Sequence, residues 1–263
     1  MPEMLSPMTV EQMDKLCQIV GQFPVPRDAL AVYIETSGFT AGSAVIVDHA
    51  VCNMHDTQIV LPDDIVSSGV LNWEGVLPGP LSSRLESDLA RIQESQRQKP
   101  ATGPRFPYTY DMLRSSSFHG YETMAPAVAA IAAALQQGRT VVGHGLLSFS
   151  WQFLAPFLPD GADPESYDQL LLDHAYDTAN IEKIVFGEDD SLLPTRGESF
   201  GSWQRACSRI RSKVKWSLRS SMFRKYRLVE EDHPYMAAHM LQALSEIMQM
   251  WRTDYAARFG EVE

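Results

Sequence analysis

The most constraining stretch of the chain is Ala29-Leu30-Ala31-Val32-Tyr33-Ile34-Glu35-Thr36-Ser37-Gly38. Six mostly apolar residues run into one acid and then a turn. An apolar run of this length bounded by turn residues reads as a fully buried strand. Its carboxylate, Glu35, then stands at the strand exit. Glu35-Thr36-Ser37-Gly38 releases the chain into a second apolar strand, Ser43 to Val47.

The rest of the chain can be arranged around that strand. Thr9 to Phe23 carries Met13, Leu16, Cys17, Ile19 and Val20 at close to helical spacing, which predicts an N-terminal helix ended by Pro24 and Pro26. Gln58–Leu61 reads as a third strand, and Asp48 to Thr57 is too polar and irregular to assign. Leu61-Pro62 opens a region rich in Pro, Gly and Ser that reaches about Ser117. It holds one expected helix, Leu81 to Gln98, with Leu85, Leu89 and Ile92, and a loop from Pro100 to Pro107. Residues 70–115 read as an insertion or lid beside the face that carries Glu35, or equally as a solvated excursion without a function. A strong helix is expected over Thr123 to Gln137, with Gly138 just past its end as a stop. Arg139 to Gly145 reads as a short buried strand running into glycines, followed by a helix from Ser150 to Leu158 that Ser150 would cap. Leu170 to Thr178 reads as a strand region ending in Asp177-Thr178. The last element, Pro234 to Trp251, places Met236, Met240, Leu244, Ile247 and Trp251 on one helical stripe.

At 263 residues, 44% hydrophobic and 21% charged, the chain can build one large domain over 1–263. Within it we distinguish an N-terminal helix (1–26), the 70–115 segment and a basic segment (199–229). The longest low-polarity run, Met124 to Leu135, contains Pro126 and is too short to span a bilayer, so no membrane partner is expected. The N-terminus shows no basic stretch followed by an apolar one, so no signal peptide is expected. Cys17, Cys52 and Cys207 form neither a metal-ligand pair nor a disulfide framework, and a cytoplasmic location is the default. No GxSxG, P-loop or HExxH pattern occurs.

A net charge of −11 argues against a protein that coats nucleic acid generally. The total hides a local block. Residues 205–227 hold nine basic side chains and no acid: Arg205, Arg209, Arg211, Lys213, Lys215, Arg219, Arg224, Lys225 and Arg227. Trp216, Phe223 and Tyr226 are interleaved with them. Cations track phosphates and aromatic faces stack bases, so the block predicts single-stranded nucleic acid, or a 3′ end, as a partner. The alternatives are an acidic protein partner, or a solvated helix whose Trp216, Leu218 and Phe223 pack inward.

These stretches together resemble the proofreading-type (DEDDh) 3′→5′ exonucleases, over nearly the whole chain. In that family the first strand ends Asp-x-Glu-Thr-Thr-Gly. Here Glu35 stands at the second acid and Tyr33 at the first. The family's Gly-His-Asn strand end and following Phe-Asp are similar to Gly143-His144-Gly145 and Phe149-Ser150, which puts Ser150 at the second motif's Asp. Asp177-Thr178 resembles an Asp-Thr pair on the family's fifth strand. In Asp232-His233-Pro234-Tyr235-Met236-Ala237-Ala238-His239, His233 matches the general base before the last helix and Ala238 the final acid.

The resemblance implies an α/β fold, a ribonuclease-H-like mixed β-sheet flanked by helices. It also implies chemistry in which four acids hold two Mg²⁺ or Mn²⁺ ions and a His takes a proton from water. Three of those acids are replaced here, by Tyr33, Ser150 and Ala238, leaving Glu35 and His233 as catalytic-position residues and Glu35 as the one retained metal ligand. The expected protein is therefore exonuclease-like and catalytically impaired. It would bind nucleic acid or act as a subunit of a replication, repair or RNA-processing assembly, with no cofactor. Two alternatives stay open. One is an active exonuclease with Mg²⁺ or Mn²⁺ in a rearranged site that uses Glu35, His233 and acids such as Asp177 or Asp232. The other is a structural protein-interaction module without nucleic acid. Plainer readings stand beside these: Glu35 as a surface carboxylate, His144 as a structural histidine, His233 as a neighbour of a helix cap, and Asp232 as an acid favoured by a helix N-terminus.

Overall fold

The computed structural model describes residues 8–98, 106–115, 118–187, 190–208 and 236–260. The apolar run forms strand β1, Ala29–Thr36. It pairs antiparallel with β2, Ile46–Met54, on one side and parallel with β5, Val141–Gly143, on the other. With β3 (Ile65–Asn72), β4 (His119–Gly120) and β6 (Ala175–Asp177) the sheet has the order β4-β3-β2-β1-β5-β6. β2 alone runs against the others. The carboxyl ends of β1, β3, β4, β5 and β6 therefore share one edge, where β2 begins.

Helices cover both faces of this mixed α/β sheet. On one side lie α1 (Val10–Gln22), α2 (Gly79–Arg97), α6 (Thr178–Phe186) and the last helix, which we number α8 (Ala237–Phe259). On the other lie α3 (Met124–Gln136), α4 (Trp151–Leu154) and α5 (Pro164–His174). α7 (Phe200–Ser208) closes the β6 side, where Gln204 donates to the carbonyl of Ala175 at 2.8 Å. The two faces of β1 differ in size. Leu30, Val32 and Ile34 meet Ile131 and Leu135 in one core, whereas Ala29 and Ala31, with Ala50 of β2, face Met240, Leu244, Ile247 and Trp251 in the other. Small strand residues opposite large helix residues fill the layer at close packing.

Local interactions fix the ends of several elements, and the expected stop at Gly138 is among them. Thr9 caps α1 in a reciprocal arrangement with Gln12. Gly138 ends α3 at φ +69, a conformation that costs any side-chain-bearing residue. A Cβ at Gly143 would lie 2.9 Å from Leu146 and 3.2 Å from the carbonyl of Val32, so the β5–β1 approach requires glycine there.

Other boundaries are corrected. The second strand is Ile46–Met54, so it includes much of the stretch that looked too polar to be regular. Gln58–Leu61 is not a strand: Gln58 bridges back to His55 and Val60 is 53% exposed. The third strand, β3, lies instead inside the region rich in Pro, Gly and Ser. Leu170 to His174 belongs to α5, and the strand is confined to 175–177. Ser150 is not a helix cap. It closes a π-helical turn, Leu146–Ser150, that runs straight into α4. α8 begins at Ala237, so Met236 precedes it and is 44% exposed, while Met240, Leu244, Ile247 and Trp251 are buried. Within 70–115, Leu85, Leu89, Phe106, Tyr108 and Leu113 are buried against the α8-side core. Among the described residues no helix is long and apolar enough to cross a membrane.

Candidate functional site at the carboxyl edge of the sheet

In parallel α/β sheets ligands bind outside the carboxyl ends of the strands. At this edge β1 presents Tyr33 and Glu35 on the face that looks toward α8. The two side chains are engaged with each other: the Tyr33 hydroxyl donates to Glu35 Oε1 at 2.5 Å. Directly across the ladder from Glu35 stands Asp48, and across from Tyr33 stands Ala50. Opposed residues of an antiparallel pair project to the same face. Glu35 and Asp48 are thus neighbouring acids, one half-buried and the other 1% exposed.

Asp48 is held from two distant parts of the chain. Its Oδ2 accepts the hydroxyl of Tyr108, and the backbone N–H of Ala237, the first residue of α8, at 3.0 Å. Burial pushes the Asp48 carboxyl above the usual carboxylate range, against the pull of those donors. The sequence contained one usable sign of this residue: an acid directly after the apolar Ser43 to Val47 segment that follows the Glu35 turn.

The β5 and β6 ends bring Asp177 and His144 together. Asp177 is fully buried. Its Oδ1 accepts from Gly145 at 2.8 Å and from Ala179 at 3.0 Å, and its Oδ2 accepts from Leu147 at 3.0 Å. It caps α6 and ties down the loop after β5. Burial is the largest influence on its carboxyl and pushes it up, while the three backbone donors pull it down. Thr178 donates to the carbonyl of Gly143 at 3.2 Å, so its oxygen accepts from His144 Nδ1 at 3.0 Å. In this arrangement His144 Nδ1 carries a proton.

The remaining candidates disperse. Ser150 is buried in the π turn, and Ala238, the second residue of α8, packs against the α8-side core. Arg205 lies on α7, where it donates to Ser202. His233, Asp232 and the block Arg209, Arg211, Lys213, Lys215, Trp216, Arg219, Arg224, Lys225 and Arg227 lie outside the described residues.

What the edge can do chemically follows from these commitments. A Mg²⁺ ion needs a near-octahedral set of oxygens. Of the acids at this edge, Asp177 is filled by backbone donors, Asp48 already accepts two donors on one oxygen, and Glu35 accepts a phenol. This donor set does not fit a two-ion centre, and among the described residues no group of three or more His, Cys, Asp or Glu could hold a metal ion. Thiol chemistry fits no better: all three cysteines are buried, and burial pushes Cys52 and Cys207 up to about 12. Compared with known proteins, the chain matches no family model and no curated sequence.

Proposed function

We propose that the chain has a ribonuclease-H-like fold of the exonuclease type in which the metal site has become a hydrogen-bonded brace. On this reading it is catalytically silent and binds single-stranded nucleic acid, alone or as a subunit of a nucleic-acid-processing assembly. The observation that supports it most is the Tyr33–Glu35–Asp48 arrangement. A phenol takes the place where the resemblance puts a metal-binding acid and donates to the one acid the motif retains. The acid across the ladder clamps Tyr108 and the start of α8. Two divalent ions beside a phosphate need several ionised carboxylates to offset their charge, and this edge commits its acids to neutral donors. The basic block that begins at Arg205 supplies the phosphate-tracking charge.

Two measurements test the reading. Purified protein with Mg²⁺ or Mn²⁺ is expected to leave 3′-labelled DNA and RNA strands undegraded. Vigorous degradation that disappears in Glu35→Ala or His233→Ala would establish an active exonuclease instead. Single-strand binding is expected to weaken with salt, and replacing Arg209, Arg211, Lys213 and Lys215 with Ala should weaken it and flatten the salt dependence by up to about three units of slope. If the wild-type protein shows no salt-sensitive binding, the block serves a protein partner or is plain surface.

A further inference from the structure

A cavity of about 380 Å³ opens beyond β3, between the turn after that strand and the segment 110–114. Its volume is in the range of small-molecule sites, roughly 300–1,000 Å³. Trp73 and Tyr110 line it, together with Glu74, Leu77, Ser82 and Arg114. Because β3 runs parallel to β1, the cavity shares the sheet edge that carries Glu35 and Asp48.

The chemistry of the lining is selective. The Trp73 indole N–H is spent on the carbonyl of Ile46 at 2.7 Å, and the ring stacks with Tyr121 at a centroid distance of 5.5 Å. What Trp73 can offer a ligand is therefore aromatic surface. The Arg114 guanidinium lies 5.7 Å from the centre of the Tyr110 ring, and the Tyr110 hydroxyl is bonded to Ser82 at 2.5 Å. Rings and a guanidinium plane are the surfaces on which unstacked bases rest. At the mouth, Glu74 and Arg114 meet at 3.2 Å, each with a side chain about half exposed. An exposed pair of this kind contributes little to stability and can exchange partners readily. A carboxylate only accepts, and a guanidinium only donates. Every base has some donor and some acceptor, but only guanine sets two N–H donors, N1–H and N2–H₂, side by side for a carboxylate while leaving two acceptors, O6 and N7, for a guanidinium.

We propose that this cavity takes a guanine base from a single strand lying across the carboxyl edge of the sheet, stacked on the Trp73/Tyr110 surface and held by Glu74 and Arg114. The proposal rests on the reading that the chain binds single strands, and the experiment separates the two. Fluorescence anisotropy would compare a labelled thymidine strand of about eight nucleotides with the same strand carrying one central guanosine. Calorimetry would test guanosine monophosphate alone. The guanosine strand is expected to bind about tenfold tighter, and Glu74→Gln, which sets an amide N–H₂ against the base's own donors, to remove that preference. Thermal melting checks that the variant is folded. Equal affinity for the two strands would overturn the guanine site and leave single-strand binding standing. A preference that survives Glu74→Gln would overturn it as well, because guanine would then be read elsewhere. Binding of the monophosphate alone, lost in Glu74→Gln, would sustain the cavity's assignment to guanine and sink the single-strand reading. No binding of any probe would remove both.

Discussion

If Asp48 is a clamp and not a metal ligand, its replacements should sort by hydrogen-bonding capacity and not by charge. Asp48→Ala leaves the Tyr108 hydroxyl and the Ala237 N–H without their acceptor. Each buried donor left unpaired costs about 1–3 kcal/mol. Part of this is returned, because the variant no longer buries a carboxyl group at all. A net loss of about 3 kcal/mol is expected, and at about 2–4 °C per kcal/mol for a chain of this size the melting temperature should fall by about 6–12 °C. Asp48→Asn keeps an oxygen that can accept both donors and should stay within about 1 kcal/mol of wild type at neutral pH. The pH dependence has a definite sign. The folded-state value of Asp48 lies above the ordinary 3.8, so the folded protein binds the extra proton in the window just above that value. Wild-type stability from this group therefore falls as pH rises from 3.8 through the folded value, then stays level. Asp48→Asn lacks that decline, so it should gain on wild type as pH rises through the window. The assay is urea and thermal unfolding followed by circular dichroism across that range. The reasoning fails if Ala costs less than about 0.5 kcal/mol, if Asn is as damaging as Ala, or if the Asn–wild-type difference ignores pH. Stabilisation by Mn²⁺ that Asp48→Asn abolishes would make Asp48 a ligand after all.

Tyr33→Phe removes the donor to Glu35 and should cost about 0.5–1.5 kcal/mol by urea unfolding, without creating nuclease activity in the labelled-strand assay. Asp177→Asn keeps the contacts of Oδ1 but sets an amide N–H₂ against the Leu147 N–H, for a loss of about 1–3 kcal/mol and earlier amide exchange in the loop after β5. Ile247→Ala, in the middle of the buried face of α8, should cost about 2–5 kcal/mol, measured by the urea midpoint. Gly138→Ala meets no close neighbour, its nearest atom being His174 Cε1 at 3.7 Å. Its cost should be the backbone's alone, about 1–2 kcal/mol.

The sequence by itself determined the elements whose signals are local. β1 is a continuous apolar run, α1 carries its own cap, α3 is apolar and ends at a glycine, and α8 writes its buried stripe at spacings of three and four. Those features depend on neighbours along the chain, which a sequence displays. Asp48 and the strand that carries it depend on partners elsewhere. Asp48 is tolerated in the interior because Tyr108, 60 residues away, and Ala237, 189 residues away, meet its carboxyl. His49 beside it is tolerated because Gly69 and Ser67 of β3 meet its ring nitrogens. A polar strand of this kind looks like a loop until the pairing is known, just as Gln58–Leu61 looks like a strand until the chain is seen to turn there. Glu35 could be found from its own turn. That Tyr33 would bond it, and that a second acid would stand opposite, follows from the pleat and the antiparallel register, which only the tertiary structure decides because cross-strand hydrogen bonds and not sequence neighbours set them.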